Sequence, residues 1–132
     1  MIVIDASAAI ELLMCSELGG RLEKRLFHGE ELLNAPHLFD VEVLQVVRSL
    51  VAAREMSVAA AVEKIERLRQ MDVVRHPHIE LAQRIFELRH NLTAYDAAYL
   101  ALAEHLREAT LVTCDHAFEK VPGRRARIEV WS

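Results

Sequence analysis

Much that would narrow the function of this chain is missing from it. Its two cysteines, Cys15 and Cys114, lie far apart and in no metal-type spacing. In a reducing compartment they read as small core or near-surface residues rather than a disulfide. No apolar run approaches the ~18 residues that a bilayer span requires, which argues against a membrane helix. No charged-then-apolar leader with a small-residue cleavage site is visible, because Asp5 interrupts the first apolar run; the expected compartment is the cytoplasm. Positive charge is not in excess either. Sixteen Lys and Arg against 20 Asp and Glu leave −4, which argues against a protein that coats nucleic acid electrostatically. It leaves a nuclease open, since an acidic site that holds cations reverses the local sign. Arginine supplies 13 of the basic residues and lysine three. Arginine's planar fork suits phosphate, but GC-rich coding gives the same skew. The pair His76 and His78 flanks Pro77 without helical zinc spacing or a cysteine partner, and reads as a surface turn. With no repeat, low-complexity tract or linker, residues 1–132 read as one domain, long enough to bury a real core.

What is present begins at the first residues. Ile2, Val3 and Ile4 read as a short strand buried on both faces. The run stops at Asp5, and helical spacing resumes over Ala6–Met14. Glu17–His28 is amphipathic with Leu18, Leu22 and Leu26 on one stripe, and Gly29 is placed to stop it. Leu32–Ala35 is a second brief strand. Pro36 opens a helix to about Glu55 with Leu38, Val41, Leu44, Val47, Leu50 and Val51 as its apolar stripe. Ser57 caps a helix over Val58–Gln70. Asp72–Arg75 is a third strand, and Pro77 opens a helix to about Arg89 with Ile79, Ala82, Ile85, Phe86 and Leu88 facing inward. Thr93–Asp96 has the form of a capping box, Asp replacing the usual Glu, for a helix to about Arg107. Leu111–Thr113 is a strand, His116–Lys120 a helical turn, and Arg127–Trp131 a last strand. This order predicts an α/β class fold, a three-layer α/β/α sandwich with a mostly parallel central sheet.

Four acids gain meaning from that order. Asp5 and Asp115 each follow a strand, and in open α/β sheets ligands bind outside the carboxyl ends of strands. Asp96 lies in the first turn of the helix leading into the Asp115 strand, and Glu42 in the first two turns of the helix after strand two. Right-handed connections carry both helix starts to the same edge. Four carboxylates on one edge repel unless hard cations neutralise them, and Mg²⁺ or Mn²⁺ suits an all-oxygen donor set. Each acid alone has a plainer reading: Asp96 as half of a cap, Glu42 as a solvated helix residue, Asp115 as the cap of the next turn. The case rests on joint placement. Ser7 and Thr113, two residues from Asp5 and Asp115, are either a cap and an ordinary strand residue or hydroxyls that orient a carboxylate, a water or a phosphate oxygen. His116 abuts Asp115 and could face a substrate. Lys120, Arg124, Arg125 and Arg127 follow the site and are either a solvated face or a grip on an RNA backbone.

These residues resemble a known family. Ile4-Asp-Ala-Ser-Ala8, Glu42-Val43, Tyr95-Asp-Ala-Ala-Tyr-Leu-Ala-Leu-Ala103 and Thr113-Cys-Asp115 are similar, in order and nearly end to end, to PIN-domain ribonucleases of the VapC toxin type. The resemblance implies a metal-dependent endoribonuclease, neutralised by a VapB-like antitoxin encoded beside it, and commonly a homodimer. It matches Asp5 and Asp96 to the main Mg²⁺ ligands, Asp115 to the third acid and Glu42 to the fourth, often acting through water. Ser7 and Thr113 match supporting hydroxyls. Gln45 stands where the family often has Asn. The implied reaction is hydrolysis of an RNA phosphodiester by a metal-activated water, leaving a 5′-phosphate.

Two other classes stay in view. A strand-end-aspartate phosphatase wants a second Asp two residues after Asp5, where Ser7 stands. A PIN-like binding module that no longer cuts would not need all four acids.

Overall fold

Ile2, Val3 and Ile4 have no exposed surface, and the strand they form, β1 (Ile2–Ile4), is the middle of the sheet. Burying each such side chain is worth ~1.5–3 kcal/mol, so three residues suffice to anchor it. The computed structural model describes all of residues 1–132. In chain order the elements are β1, α1 (Ala6–Leu13), α2 (Glu17–Phe27), β2 (Leu33–Pro36), α3 (Leu38–Ala52), α4 (Val58–Gln70), β3 (Val73–His76), α5 (Ala82–Glu87), α6 (Ala94–His105), β4 (Thr110–Thr113) and β5 (Arg127–Val130). Single 3₁₀ turns at Ile79–Leu81 and His116–Lys120 precede α5 and β5.

The five strands are all parallel, in the order β3-β2-β1-β4-β5. The chain first winds from β1 outward to β3, then crosses back to β4 and on to β5. That reversal puts a topological switch point between β1 and β4, the place where open sheets form a crevice. Helices α1 to α4 pack on one another, while α5 packs on α6, which also lies against β1, β2 and β4. The predicted three-layer α/β/α arrangement is therefore the observed one, with a sheet that is wholly rather than mostly parallel.

Caps do much of the local work. Asp5, Ser16, Ser57 and Thr93 each accept a backbone N–H at the start of α1, α2, α4 and α6. Gly19 permits the close crossing of α1 and α2, because a Cβ there would stand 2.1 Å from the Glu11 carbonyl oxygen. Gly123 follows Pro122 at φ +70°, the left-handed turn that glycine adopts without strain.

Three expectations change. Pro36 closes β2 instead of opening α3: parallel pairing continues through it, and the His37 amide donates to the His76 carbonyl at 2.8 Å. The buried stripe of α3 is Phe39, Val43 and Val47, while Val41 and Leu44 are exposed. A helix apolar on most sides carries no phase of its own, and its neighbours chose the face. The third change concerns the segment before α6. It is a 3₁₀ turn and one short helix, with Leu81 and Leu88 buried but Ile79 and Phe86 exposed. Here the ion pair between Arg84 and Glu104, at 2.6 and 3.0 Å, turns the polar side of α5 toward α6. The cysteines form no disulfide, and no helix is long and apolar enough to cross a membrane.

Candidate active site

Asp5 follows β1 directly and is almost fully buried, at 4% exposure. A carboxylate in that position must be hydrogen-bonded or lose its charge. Its Oδ1 accepts the Ser7 amide at 2.7 Å, the Ala8 amide at 3.2 Å and the Ser7 hydroxyl. Its Oδ2 accepts the Thr113 hydroxyl at 2.6 Å. Burial still dominates and raises the proton affinity of Asp5 above the ordinary carboxylate value, with these bonds working in the opposite direction.

Both hydroxyls serve two partners. Ser7 Oγ donates to Asp5 and accepts the Cys114 amide at 2.9 Å. Thr113 Oγ1, fully buried at the end of β4, donates to Asp5 and accepts the Asp115 amide at 2.9 Å. The ends of the two switch-point strands are thus stitched together by two side-chain oxygens. Asp115 in turn accepts the Ala117 amide at 2.8 Å, so the capping reading of this residue holds and leaves its other oxygen without an intramolecular donor.

Asp96 resolves differently. Thr93 Oγ1 caps α6 by accepting the Asp96 amide at 3.2 Å, but the reciprocal half of the box is absent: the Asp96 carboxylate does not accept the Thr93 amide in return. Half-buried, it has a raised proton affinity, caused first by desolvation and then by the charges of Asp115 and Asp5. Glu42 reaches the same space from α3. Its Oε1 accepts the Tyr99 hydroxyl at 2.7 Å, and burial followed by the charges of Asp96 and Asp5 raises its proton affinity. Tyr99 is 1% exposed, and burial together with the bond to Glu42 pushes its phenol ionisation far upward. Burial also lifts the Cys114 thiol to about 11, which keeps it protonated and unreactive at neutral pH.

Asp5, Ser7, Glu11, Glu42, Asp96, Tyr99, Cys114 and Asp115, with Ala6, Ile10 and Val46, line one cleft of about 440 Å³ at the switch point. Five of the lining residues are acids and none is a lysine, arginine or histidine. Glu11 and Tyr99 were not singled out from the sequence. Glu11 lies one helical turn after Ser7 and Tyr99 nearly one turn after Asp96, so i, i+4 and i, i+3 spacing from residues already chosen would have found both.

Two expected site residues do not come to the cleft. Arg124 Nη1 bonds back to the Glu119 carbonyl at 2.6 Å. Arg125 lines a separate depression with Arg107, Ala109, Thr110 and Arg127. Thr110 pairs with Arg127 where β4 and β5 begin, so Arg125 and Arg127 sit at the opposite edge of the sheet from the acids. The chain after the 3₁₀ turn has to return to that edge before β5 can run parallel, and it takes the basic residues along. His116 pairs with Glu119 at 3.0 Å and does not line the cleft. Gln45 is exposed, its amide reaching only Ser49 on the same helix at 3.4 Å.

The donor set suits a hard divalent cation. Apart from the protonated Cys114 thiol its donors are oxygen; it is strongly anionic and lacks an internal countercharge, and three of its acids are pushed toward protonation, first by burial. No three of the chain's acidic, imidazole or thiol groups stand close enough together to ligate one ion directly; the carboxylates ring the cleft instead. Mg²⁺ tolerates that spacing, because it keeps several waters and takes only one or two carboxylates directly.

Fold and cleft together define an α/β protein with an anionic, oxygen-lined site at the switch point of a parallel sheet. The sequence matches the PIN domain family over residues 2–124. It is 38% identical to Ribonuclease VapC12 of Mycobacterium tuberculosis over 130 residues, 98% of each chain. It is 40% identical to Ribonuclease VapC9 of the same organism over 115 residues, 87% of this chain and 86% of that one. Among solved structures, VapBC2 from Rickettsia felis, crystallised with a DNA fragment from its promoter, superposes with a TM-score of 0.71 at 14% identity, covering all of both chains. This chain belongs to the PIN-domain family, in its VapC branch.

Proposed function

We propose that the protein is a Mg²⁺-dependent endoribonuclease toxin that hydrolyses RNA phosphodiester bonds in the cytoplasm. The observation that carries this reading is the cleft itself: Asp5, Glu42, Asp96 and Asp115 arrive from four separate elements at the switch point, with no basic side chain among them. Asp5, Asp96 and Asp115 would hold Mg²⁺ between them, one or two directly and the rest through its retained waters, with Mn²⁺ as a substitute and Glu42 joining through water. The ion supplies the positive charge that a scissile phosphate needs in an acidic cleft, and it makes water a stronger acid.

The chain's own groups do the positioning. Ser7 and Thr113 hold both oxygens of Asp5 and fix its orientation. Thr113 also fixes the start of the Asp115 segment through the backbone amide. Glu42 Oε2, the oxygen not engaged by Tyr99, orients the attacking water. Attack by that water forms a new P–O bond and breaks the bond to O3′, which takes up a proton. The products are a 5′-phosphate and a 3′-hydroxyl.

The relatives named above are VapC ribonucleases, and the Rickettsia structure is a VapBC pair; on that basis a VapB-like antitoxin is the partner here. Val41 and Leu44 on α3 and Val58 and Val62 on α4 are exposed apolar residues of the kind an amphipathic partner segment covers. A homodimer belongs to the same reading, and sedimentation tests it.

The deciding experiment is cleavage of total cellular RNA by purified protein with Mg²⁺, with EDTA, and by Asp5→Asn. Discrete cuts that need the cation and vanish in the variant support the proposal, and mapping the ends identifies the RNA. Ends carrying a 2′,3′-cyclic phosphate would show that the ribose hydroxyl attacked, and would sink the mechanism. A folded protein that binds Mn²⁺ but cuts no RNA would be a binding module, and one that hydrolyses only small phosphomonoesters a phosphatase.

A further inference from the structure

We infer that Tyr99 is a positioning residue of the cleft: its hydroxyl aims the Glu42 carboxylate, and the cation affinity and activity of the site depend on that aim. The inference rests on the reading of the cleft given above. Glu42 stands on α3 and is one of the acids least constrained by its own element, since it follows no strand and caps no helix. A glutamate has three rotatable bonds and, on a part-exposed helix face, no reason to hold one rotamer. Its only hydrogen bond from the chain is the one donated by Tyr99 at 2.7 Å.

Tyr99 is the opposite kind of residue. It lies nearly one turn after Asp96 on α6, is 1% exposed, and is among the largest fully buried side chains of the protein. Its ring is locked by packing, so its oxygen is a fixed point to which a flexible acid is tied. The tie also joins α3 to α6, the two helices that bring Glu42 and Asp96 to the same cleft. A phenylalanine would fill the core equally well. The hydroxyl is what reaches the cleft, and a buried hydroxyl without a partner is costly. The bond engages Oε1 and leaves Oε2 for a water or a ligand. Groups one step behind a metal-binding set commonly change affinity or activity by about 10- to 100-fold when removed.

The test is Tyr99→Phe, read by calorimetric titration with Mn²⁺ alone and by cleavage of total RNA. Mn²⁺ affinity is expected to fall about tenfold and cleavage by about 10- to 100-fold, with circular dichroism near wild type and a modestly lower melting temperature from the one lost bond. A structural role is separated from a positioning one by a double-mutant cycle with Glu42→Gln. If Tyr99 acts through Glu42, adding Tyr99→Phe to Glu42→Gln changes Mn²⁺ affinity less than twofold. An undiminished second loss in that background overturns the assignment, and so does unchanged Mn²⁺ affinity in the single variant. Should Tyr99→Phe not fold, Glu42→Asp withdraws the carboxylate from the hydroxyl by one methylene. It is expected to lose affinity about tenfold, and no loss is equally fatal. A wild type that binds Mn²⁺ without cutting RNA refutes the nuclease reading alone, because the Tyr99 comparison is still read from Mn²⁺ affinity. A wild type that binds no Mn²⁺ overturns both.

Discussion

Replacing Thr113 with valine removes one oxygen from a fully buried position and keeps the side-chain shape. Two bonds go with it. Asp5 Oδ2 loses a charge-assisted donor at 2.6 Å, and the Asp115 amide loses its acceptor at 2.9 Å. A hydrogen bond to a charged group contributes ~1.5–3 kcal/mol, and a donor left unsatisfied costs ~1–3 kcal/mol. Partial relaxation of the strand ends brings the expected loss to ~3 kcal/mol. Unfolding entropy of ~2.1 cal/mol/K per residue gives ~0.28 kcal/mol/K for this chain, so the melting temperature should fall by ~11 °C. Thr113→Ser keeps both bonds and deletes one buried methyl, for a loss nearer ~1 kcal/mol. The effect also has a signature in pH. The Thr113 bond favours ionised Asp5, and burial holds the folded pKa of that acid above 3.8. The charge-assisted part of the loss is therefore present above that folded pKa and fades as the pH drops through it, leaving the amide part. Differential scanning calorimetry of the three proteins at pH 8 and pH 4 checks this. If valine is within ~0.5 kcal/mol of wild type at pH 8, the hydroxyl bridge does not organise the strand ends and the reasoning fails.

Other expectations follow from the same geometry. Asp5, Glu42 and Asp96 all bind protons more tightly in the folded protein than in the unfolded chain; a raised carboxylate pKa means stability is lost as the pH rises past the ordinary acid range. Asp96→Asn should therefore melt higher than wild type in EDTA at pH 8 and equally at pH 3, and a lower melt at pH 8 would contradict the electrostatic account. Saturating Mn²⁺ should do for wild type what the substitution does, adding ~2.7 kcal/mol at 100 times the dissociation constant. Asp5→Asn should not respond to the cation in the same thermal-shift assay. Gly19→Ala forces α1 and α2 apart, since its Cβ would overlap the Glu11 carbonyl; urea titration should show a loss of ~3 kcal/mol. Gly20→Ala, which meets nothing within 4 Å, should instead gain ~0.5–1 kcal/mol.

Several features could be read along the chain because they are local. An apolar triplet ended by Asp5, a strand ended by Thr113-Cys-Asp115, and serine or threonine caps at Ser57 and Thr93 all act within four residues of themselves. That four acids at strand and helix ends would share one cleft is also legible in the sequence, since parallel connections carry those ends to one edge. Other features depended on distant partners. The phase of α3 went to Phe39, Val43 and Val47 because a nearly all-apolar helix accepts whichever face its neighbours offer. The Arg84–Glu104 pair turned α5, leaving Phe86 outside. Arg125 went to the far edge because β5 runs parallel to β4, and His116 turned to Glu119. Glu11 and Tyr99 entered the cleft by helical spacing from residues already chosen, but only the packing of α3 against its neighbours brought Glu42 within 2.7 Å of a buried hydroxyl. Periodicity and capping are properties of a segment and can be read from it. Which face is covered, and which two distant side chains are joined by a hydrogen bond, are properties of the assembled sheet and its layers.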